Sequence, residues 1–353
     1  MRSSLSTNPH SARRAHCELI GSVPQARESQ SDRDRKTSPA AATSIMVDFL
    51  PRRRRVKNSC TDQNLEPELA VWSDVNLRAS AATEAHRDVQ SDYSILRCHD
   101  IHLSFGGLNA LKGVSLEIGE RQIFGLLGPN GSGKTSLANV ITGFYRPQSG
   151  LVSLLGDEIT GLKPHRVATK GVARTFQNLA LFRGMTVLQN ILLGRHVHMR
   201  ASALASLFYR ALAMRTEIAH RRIVEELIDF MQIQDIRDEP VEVIPLGMQK
   251  RVEFARALAA EPQLLILDEP MAGMNQEEKE YMARFILDAR EERNISILLI
   301  EHHMDVVTAL CDRVLVLSYG EEIAQGEPRQ TIADPRVVCA YLGHISNPAE
   351  TKS

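Results

Sequence analysis

Ile123-Phe124-Gly125-Leu126-Leu127-Gly128-Pro129-Asn130-Gly131-Ser132-Gly133-Lys134-Thr135-Ser136-Leu137-Ala138-Asn139-Val140 runs from an apolar block through a glycine-rich turn into a helical block. The five residues Ile123 to Leu127 read as a buried strand, and Ser136 onward reads as a helix. Between them the spacing Gly-x-x-x-x-Gly-Lys-Thr forms a phosphate-binding loop in the strand-loop-helix context it requires. Glycines let backbone N–H groups approach phosphates closely, and the helix N-terminus adds partial positive charge. Gly128, Pro129, Asn130, Gly131, Ser132, Gly133, Lys134, Thr135 and Ser136 are therefore the candidate nucleotide contacts. Lys134 suits the β- and γ-phosphates, and Thr135 suits Mg²⁺. The plain alternative, a chance glycine turn, leaves this context unexplained.

A loop that holds phosphates with Mg²⁺ needs a second acidic element. Leu264-Leu265-Ile266-Leu267-Asp268-Glu269-Pro270 supplies it at the end of another apolar run. Asp268, continuing the strand, suits the metal. Glu269, turning off it, suits polarisation of an attacking water. Taken alone, an Asp-Glu pair after apolar residues is an ordinary strand end, and only the upstream loop gives it meaning.

Outward from these motifs, apolar strand-like runs alternate with helical ones from about Ile95, the pattern of an α/β domain with a largely parallel sheet. Before residue 94 the chain is rich in Ser, Arg, Ala, Asp and Glu, has prolines at 9, 24, 39, 51 and 67, and shows no sustained apolar periodicity. Such a segment buries too little apolar surface to offset its ordering entropy, so residues 1–94 are expected to be disordered, as is a tail over 346–353. Arg13-Arg14 is not followed by the apolar stretch of an export signal. Arg52 to Arg55 reads as a solvated charge run, and Met46 is an alternative start.

The 353 residues carry a formal net charge of -1, which gives no general attraction to nucleic acid or anionic lipid. Cys17, Cys60, Cys98, Cys311 and Cys339 are scattered, with no metal-binding spacing, and read as free thiols. The most apolar helical stretch, Ala201 to Met214, is short of the ~20 apolar residues of a membrane span. A chain of this kind that serves a membrane must dock on other subunits.

With these motifs in order, the segment from about Ile95 to Gly343 resembles an ATPase subunit of an ABC transporter. The resemblance implies a P-loop NTPase core with a helical subdomain at about 178–260 and a small antiparallel β subdomain, all within 95–345. It implies that Phe105 stacks on adenine, although an isolated Phe would read as core. It implies that Gln177, in Arg174-Thr175-Phe176-Gln177-Asn178, reaches toward Mg²⁺ and the water, and that His302, rather than the adjacent His303, is the switch histidine. Glu269, His302 and Gln177 are thus the expected catalytic set, and Thr135, Gln177 and Asp268 the metal set. The family signature, Leu-Ser-Gly-Gly-Gln, is degenerate: Ile244-Pro245-Leu246-Gly247-Met248 keeps only Gly247. Loss of the serine hydroxyl at Pro245 costs about 1.5–3 kcal/mol of γ-phosphate contact if nothing replaces it. A helix starting near Gly247 still presents an anion site, so activity is expected to survive. Asn275 stands where many relatives carry Asp.

The family pairs two subunits head to tail, each ATP lying between one subunit's loop and the other's signature. Phe105-Gly106-Gly107-Leu108, Thr175 to Val187, and the tail from Gly326-Glu327-Pro328 to Gly343 are similar to branched-chain amino acid importer ATPases. Urea and short-chain amide systems share these features, and a lipid-export ATPase is the neighbouring alternative. His196 to Arg222 fits a longer helical-subdomain connection or an amphipathic surface helix. The implied partners are transmembrane permease subunits, a second ABC ATPase subunit and, indirectly, an extracytoplasmic substrate-binding protein, on the cytoplasmic side of the inner membrane. No nucleic-acid partner is expected. A nucleic-acid ABC ATPase would carry a coiled-coil insertion, and a translation factor a second cassette; neither pattern is in the sequence. A non-hydrolysing subunit is opposed by Glu269 and His302.

Overall fold

The computed structural model describes residues 94–175, 179–198 and 210–342, and these form two β-sheets with helices packed on them. All but the last residue of the expected N-terminal extension, and the 346–353 tail, lie outside the described residues. In chain order, β1 (Ser94–Phe105) and β2 (Leu108–Gly119) form a hairpin, and β3 (Ile123–Leu127) leads into α1 (Lys134–Ile141). Next come β4 (Ser149–Leu154), β5 (Asp157–Glu158), α2 (Pro164–Thr169) and β6 (Val172–Arg174). A helical stretch follows, with α3 (Val187–Gly194), α4 (Arg210–Phe230) and α5 (Leu246–Leu258). The chain then alternates through β7 (Leu264–Asp268), α6 (Gln276–Arg293), β8 (Ser296–Ile300), α7 (Met304–Leu310) and β9 (Arg313–Ser318). It closes with β10 (Glu321–Gly326), α8 (Pro328–Ile332) and α9 (Pro335–Leu342).

The larger sheet runs in the order β10-β9-β3-β8-β7-β6, parallel from β9 to β6 with β10 antiparallel at the edge. The smaller sheet, β2-β1-β4-β5, is wholly antiparallel. The two-residue period of a strand sorts the core into two layers. Phe124, Leu126, Leu264, Ile266, Leu298 and Ile300 face the antiparallel sheet and α1. Ile123, Leu127, Leu265, Leu267, Ile297 and Leu299 face the helices, α4 to α7 among them. β3, β7 and β8 are buried along their whole length, which is why they read as unbroken apolar runs. This is the expected α/β cassette core with a helical part and an antiparallel β part. The helical reading of His196 to Arg222 holds from Arg210 onward; 199–209 lie outside the described residues.

Candidate functional site

Register across the sheet decides where the chemistry gathers. Leu126 of β3 and Asp268 of β7 both pair with Ile300 of β8, so they stand in one row two strands apart. At ~4.8 Å per strand this puts the glycine loop and the Asp268-Glu269 pair within about 10 Å, at the carboxyl edge where α/β folds bind ligands. His302 follows β8, between them. The loop, Asp268 and Glu269 line one cavity of about 600 Å³, together with Phe105.

The loop is gripped from outside. A side chain at Gly128, whose φ is 146°, would overlap the Leu317 carbonyl, and one at Gly133, φ 108°, would come within 2.8 Å of the Ala110 carbonyl. Gly320 N donates to the Ser132 carbonyl at 3.0 Å. Lys134, nearly buried, donates through Nζ to the carbonyls of Gly128 at 2.7 Å and Pro129 at 3.0 Å. Burial lowers the Lys134 pKa, against the raising effect of the Glu269 and Asp268 carboxylates. Ser132 Oγ is buried with no hydrogen-bond partner among the described residues, a donor waiting inside a loop that lines the cavity. Asn130, Gly131, Ser132, Gly133, Lys134, Thr135 and Ser136 line the cavity, while Gly128 and Pro129 sit behind its wall.

Asp268 ends β7 with its carboxylate almost fully buried and bonded to Arg174 at 2.7 Å, and its N–H donates to Thr175 Oγ1 at 3.2 Å. Glu269 leaves the strand with φ 50°, a left-handed conformation unusual for a non-glycine residue, held by its N–H donating to the Ile300 carbonyl at 2.9 Å. His302 Nδ1 lies 3.9 Å from Glu269 Oε1 and 3.9 Å from Glu301 Oε2. Glu301 is buried, its pKa raised by desolvation, and it accepts from His302 N at 3.2 Å. Phe105 is half-exposed at the tip of β1 and meets Tyr145 edge-on, centroids 5.0 Å apart, so the core alternative does not apply. Gln177 lies outside the described residues.

Gly247 is not among the cavity's lining residues; it sits in the first turn of α5, which Pro245 precedes without a side-chain cap. A side chain there would meet the end of the Glu278 side chain, which would have to shift. Asn275 Oδ1 accepts from Glu278 N at 2.9 Å and Glu278 Oε2 accepts from Asn275 N at 3.0 Å, so Asn275 caps α6 as an Asp would.

Sequence reasoning missed Leu108, Asn109, Ala110, Lys112, Ile300 and Tyr319 on the cavity wall. It also missed Arg174 and Tyr341, whose hydroxyl accepts from Gly128 N at 2.6 Å and is pushed up to about 12 by burial. No local spacing marks them, since each acts through a contact with a residue far away in sequence.

Residues 111–272 match the ABC transporter family model. Over 249 residues, 70% of this chain and 98% of the relative, the chain is 39% identical to the high-affinity branched-chain amino acid transport ATP-binding protein BraF of Pseudomonas aeruginosa. It is 35% identical, over 70% of its length and 98% of the relative, to LivG of Escherichia coli, which carries the same description. Among solved structures, a nucleotide-free ATP-binding cassette from an ABC transporter aligns with TM-score 0.62 at 33% identity, covering 71% of this chain and 100% of that one. An ADP conformation of such a cassette aligns with TM-score 0.62 at 32% identity, over 71% and 99%. With this identity held over nearly the whole length of the relatives, the chain belongs to the family of ABC transporter ATP-binding cassettes.

Proposed function

We propose that this chain is the ATP-hydrolysing subunit of a branched-chain amino acid importer, working on the cytoplasmic face of the inner membrane against transmembrane permease subunits. The observation that carries the reading is the single cavity into which the 130–136 loop, Asp268 and Glu269 converge. The similarity to BraF and LivG supports the substrate class, although cargo contacts belong to the partners. A urea or amide importer, with a lipid exporter beyond it, is the alternative cargo reading. Residues 95–345 are taken as the nucleotide-binding domain. A second ATPase subunit, identical or related, brings its own Gly247 turn to this loop, which accounts for Gly247 lying off the cavity of its own chain. An extracytoplasmic binding protein delivers the substrate, and nothing in the charge balance calls for nucleic acid.

In this reading adenine packs on Phe105, and the triphosphate lies along the amides of residues 130–136. Lys134 exchanges the Gly128 and Pro129 carbonyls for the β- and γ-phosphates, while Ser132 Oγ gains the partner it lacks. The oxygen donors Thr135 and Asp268 fit Mg²⁺, a hard cation with a preference for hydroxyl and carboxylate ligands. When bound, Mg²⁺ neutralises charge on the β- and γ-phosphates. Glu269 orients and polarises the attacking water, and His302, exposed beside it, contacts the γ-phosphate; Gln177 is assigned to the same group. Hydrolysis removes the contacts that hold the paired subunits closed, and this difference drives the transport cycle.

The test is Glu269→Gln. ATP binding is expected to remain within about twofold of wild type while turnover falls by about 10²–10⁴, the size of a general-base contribution. Hydrolysis near the wild-type rate would remove Glu269 from its role.

A further inference from the structure

Arg174 closes β6, pairs in register with Ile266 of β7, and so projects on the same face as Asp268 two residues on. Its Nη2 donates to Asp268 Oδ2 at 2.7 Å and its Nη1 to Asn139 Oδ1 at 2.6 Å. The two charged side chains are 7% and 3% exposed. One guanidinium therefore bridges α1, which begins at Lys134, and β7, which ends at Asp268. A carboxylate so little exposed needs a compensating charge at every stage of the cycle, because an unpaired buried charge is strongly destabilising. A divalent cation arriving with ATP supplies that charge only while nucleotide is bound.

We propose that Arg174 is the standing counter-ion of Asp268. It compensates the carboxylate while the site is empty and fixes Oδ2, leaving Oδ1 as the oxygen offered to the metal. Its charge also keeps the affinity of Asp268 for a bare divalent cation low, so that metal enters with the phosphates of ATP rather than ahead of them. Arg174 is a positioning residue, since it acts through Asp268 and not on substrate. The inference rests on the reading of Asp268 as a metal ligand.

The experiment titrates the full-length chain with Mn²⁺, reading free metal by electron paramagnetic resonance, with and without ADP. In nucleotide-free protein, Arg174→Gln is expected to bind Mn²⁺ at least about tenfold more tightly than wild type, since the carboxylate then keeps only the more distant charge of Lys134 and the metal supplies the rest. Arg174→Lys, which keeps the charge, is expected to bind as wild type does. Unchanged or weaker Mn²⁺ binding by Arg174→Gln overturns the proposal, as does tighter binding by Arg174→Lys. Should Arg174→Gln purify only in Mg²⁺, chelation is expected to unfold it and leave wild type folded; a melting curve indifferent to chelator overturns the proposal equally. Wild-type protein that takes up no Mn²⁺ even with ADP would be a different failure, that of Asp268 as a metal ligand.

Discussion

Glu269 occupies a backbone conformation at φ 50° that costs a non-glycine residue of order 1 kcal/mol, held there by its N–H bond to Ile300. That turn swings its carboxylate off the line of β7, so two adjacent acids take different surroundings: Asp268 against Arg174, Glu269 toward His302. His303 illustrates how the same crowding affects stability. Burial depresses its pKa from the usual 6.5, and His302 and Lys279 push it the same way, against Asp305 and Glu269. A depressed native pKa means that the unfolded chain takes up the proton first. The contribution of His303 is therefore present above pH 6.5 and is lost as pH falls through the lower native value. Melting temperature measured from pH 7.5 down to about 5.5 should fall less steeply in His303→Gln than in wild type. Equal slopes would show that His303 is not linked to folding. Lys134, Asp268 and Glu269 were legible as residues because their types and spacings are local. The neighbours of each were not, because they arrive from other strands.

At the level of elements, the nucleotide loop is only partly a property of β3 and α1. Its amide at Gly128 donates to Tyr341 of α9, the last described helix, and its carbonyl at Ser132 accepts from Gly320 in the turn between β9 and β10. Tyr341→Phe removes the hydroxyl that accepts from the N–H of buried Gly128, and is expected to lower stability by about 1–3 kcal/mol. Weaker ATP binding should accompany the loss, because the loop starts at that glycine. Thermal denaturation and an ATP-binding titration on the same variant check both; an unaltered melting temperature with unaltered affinity would mean the contact is incidental. α6 shows the opposite case, in which local chemistry suffices. Asn275 three residues before Glu278 writes a capping box into the sequence, and the box forms.

Over the whole molecule, one protomer supplies half of the proposed site. Gly247 lies at the start of α5, away from the cavity lined by its own loop, so closure over ATP calls for a second subunit. With Mg²⁺ and ATP, Glu269→Gln protein is expected to move from monomer to dimer on size exclusion if a homodimer forms, and addition of Lys134→Ala to the same chain should abolish the shift. A monomer under all conditions would direct the search to a different ATPase partner. The strands β3 and β7, the glycine loop, the acidic pair and the α/β class were determined by the sequence alone, because buried parallel strands and phosphate loops leave contiguous, local signatures. The distance from Asp268 to the loop, the guanidinium clamp of Arg174 and the hold of Tyr341 on Gly128 were decided only by the tertiary structure. They depend on strand order and on helices packed from remote parts of the chain, and a parallel sheet brings together residues between which no local pattern exists.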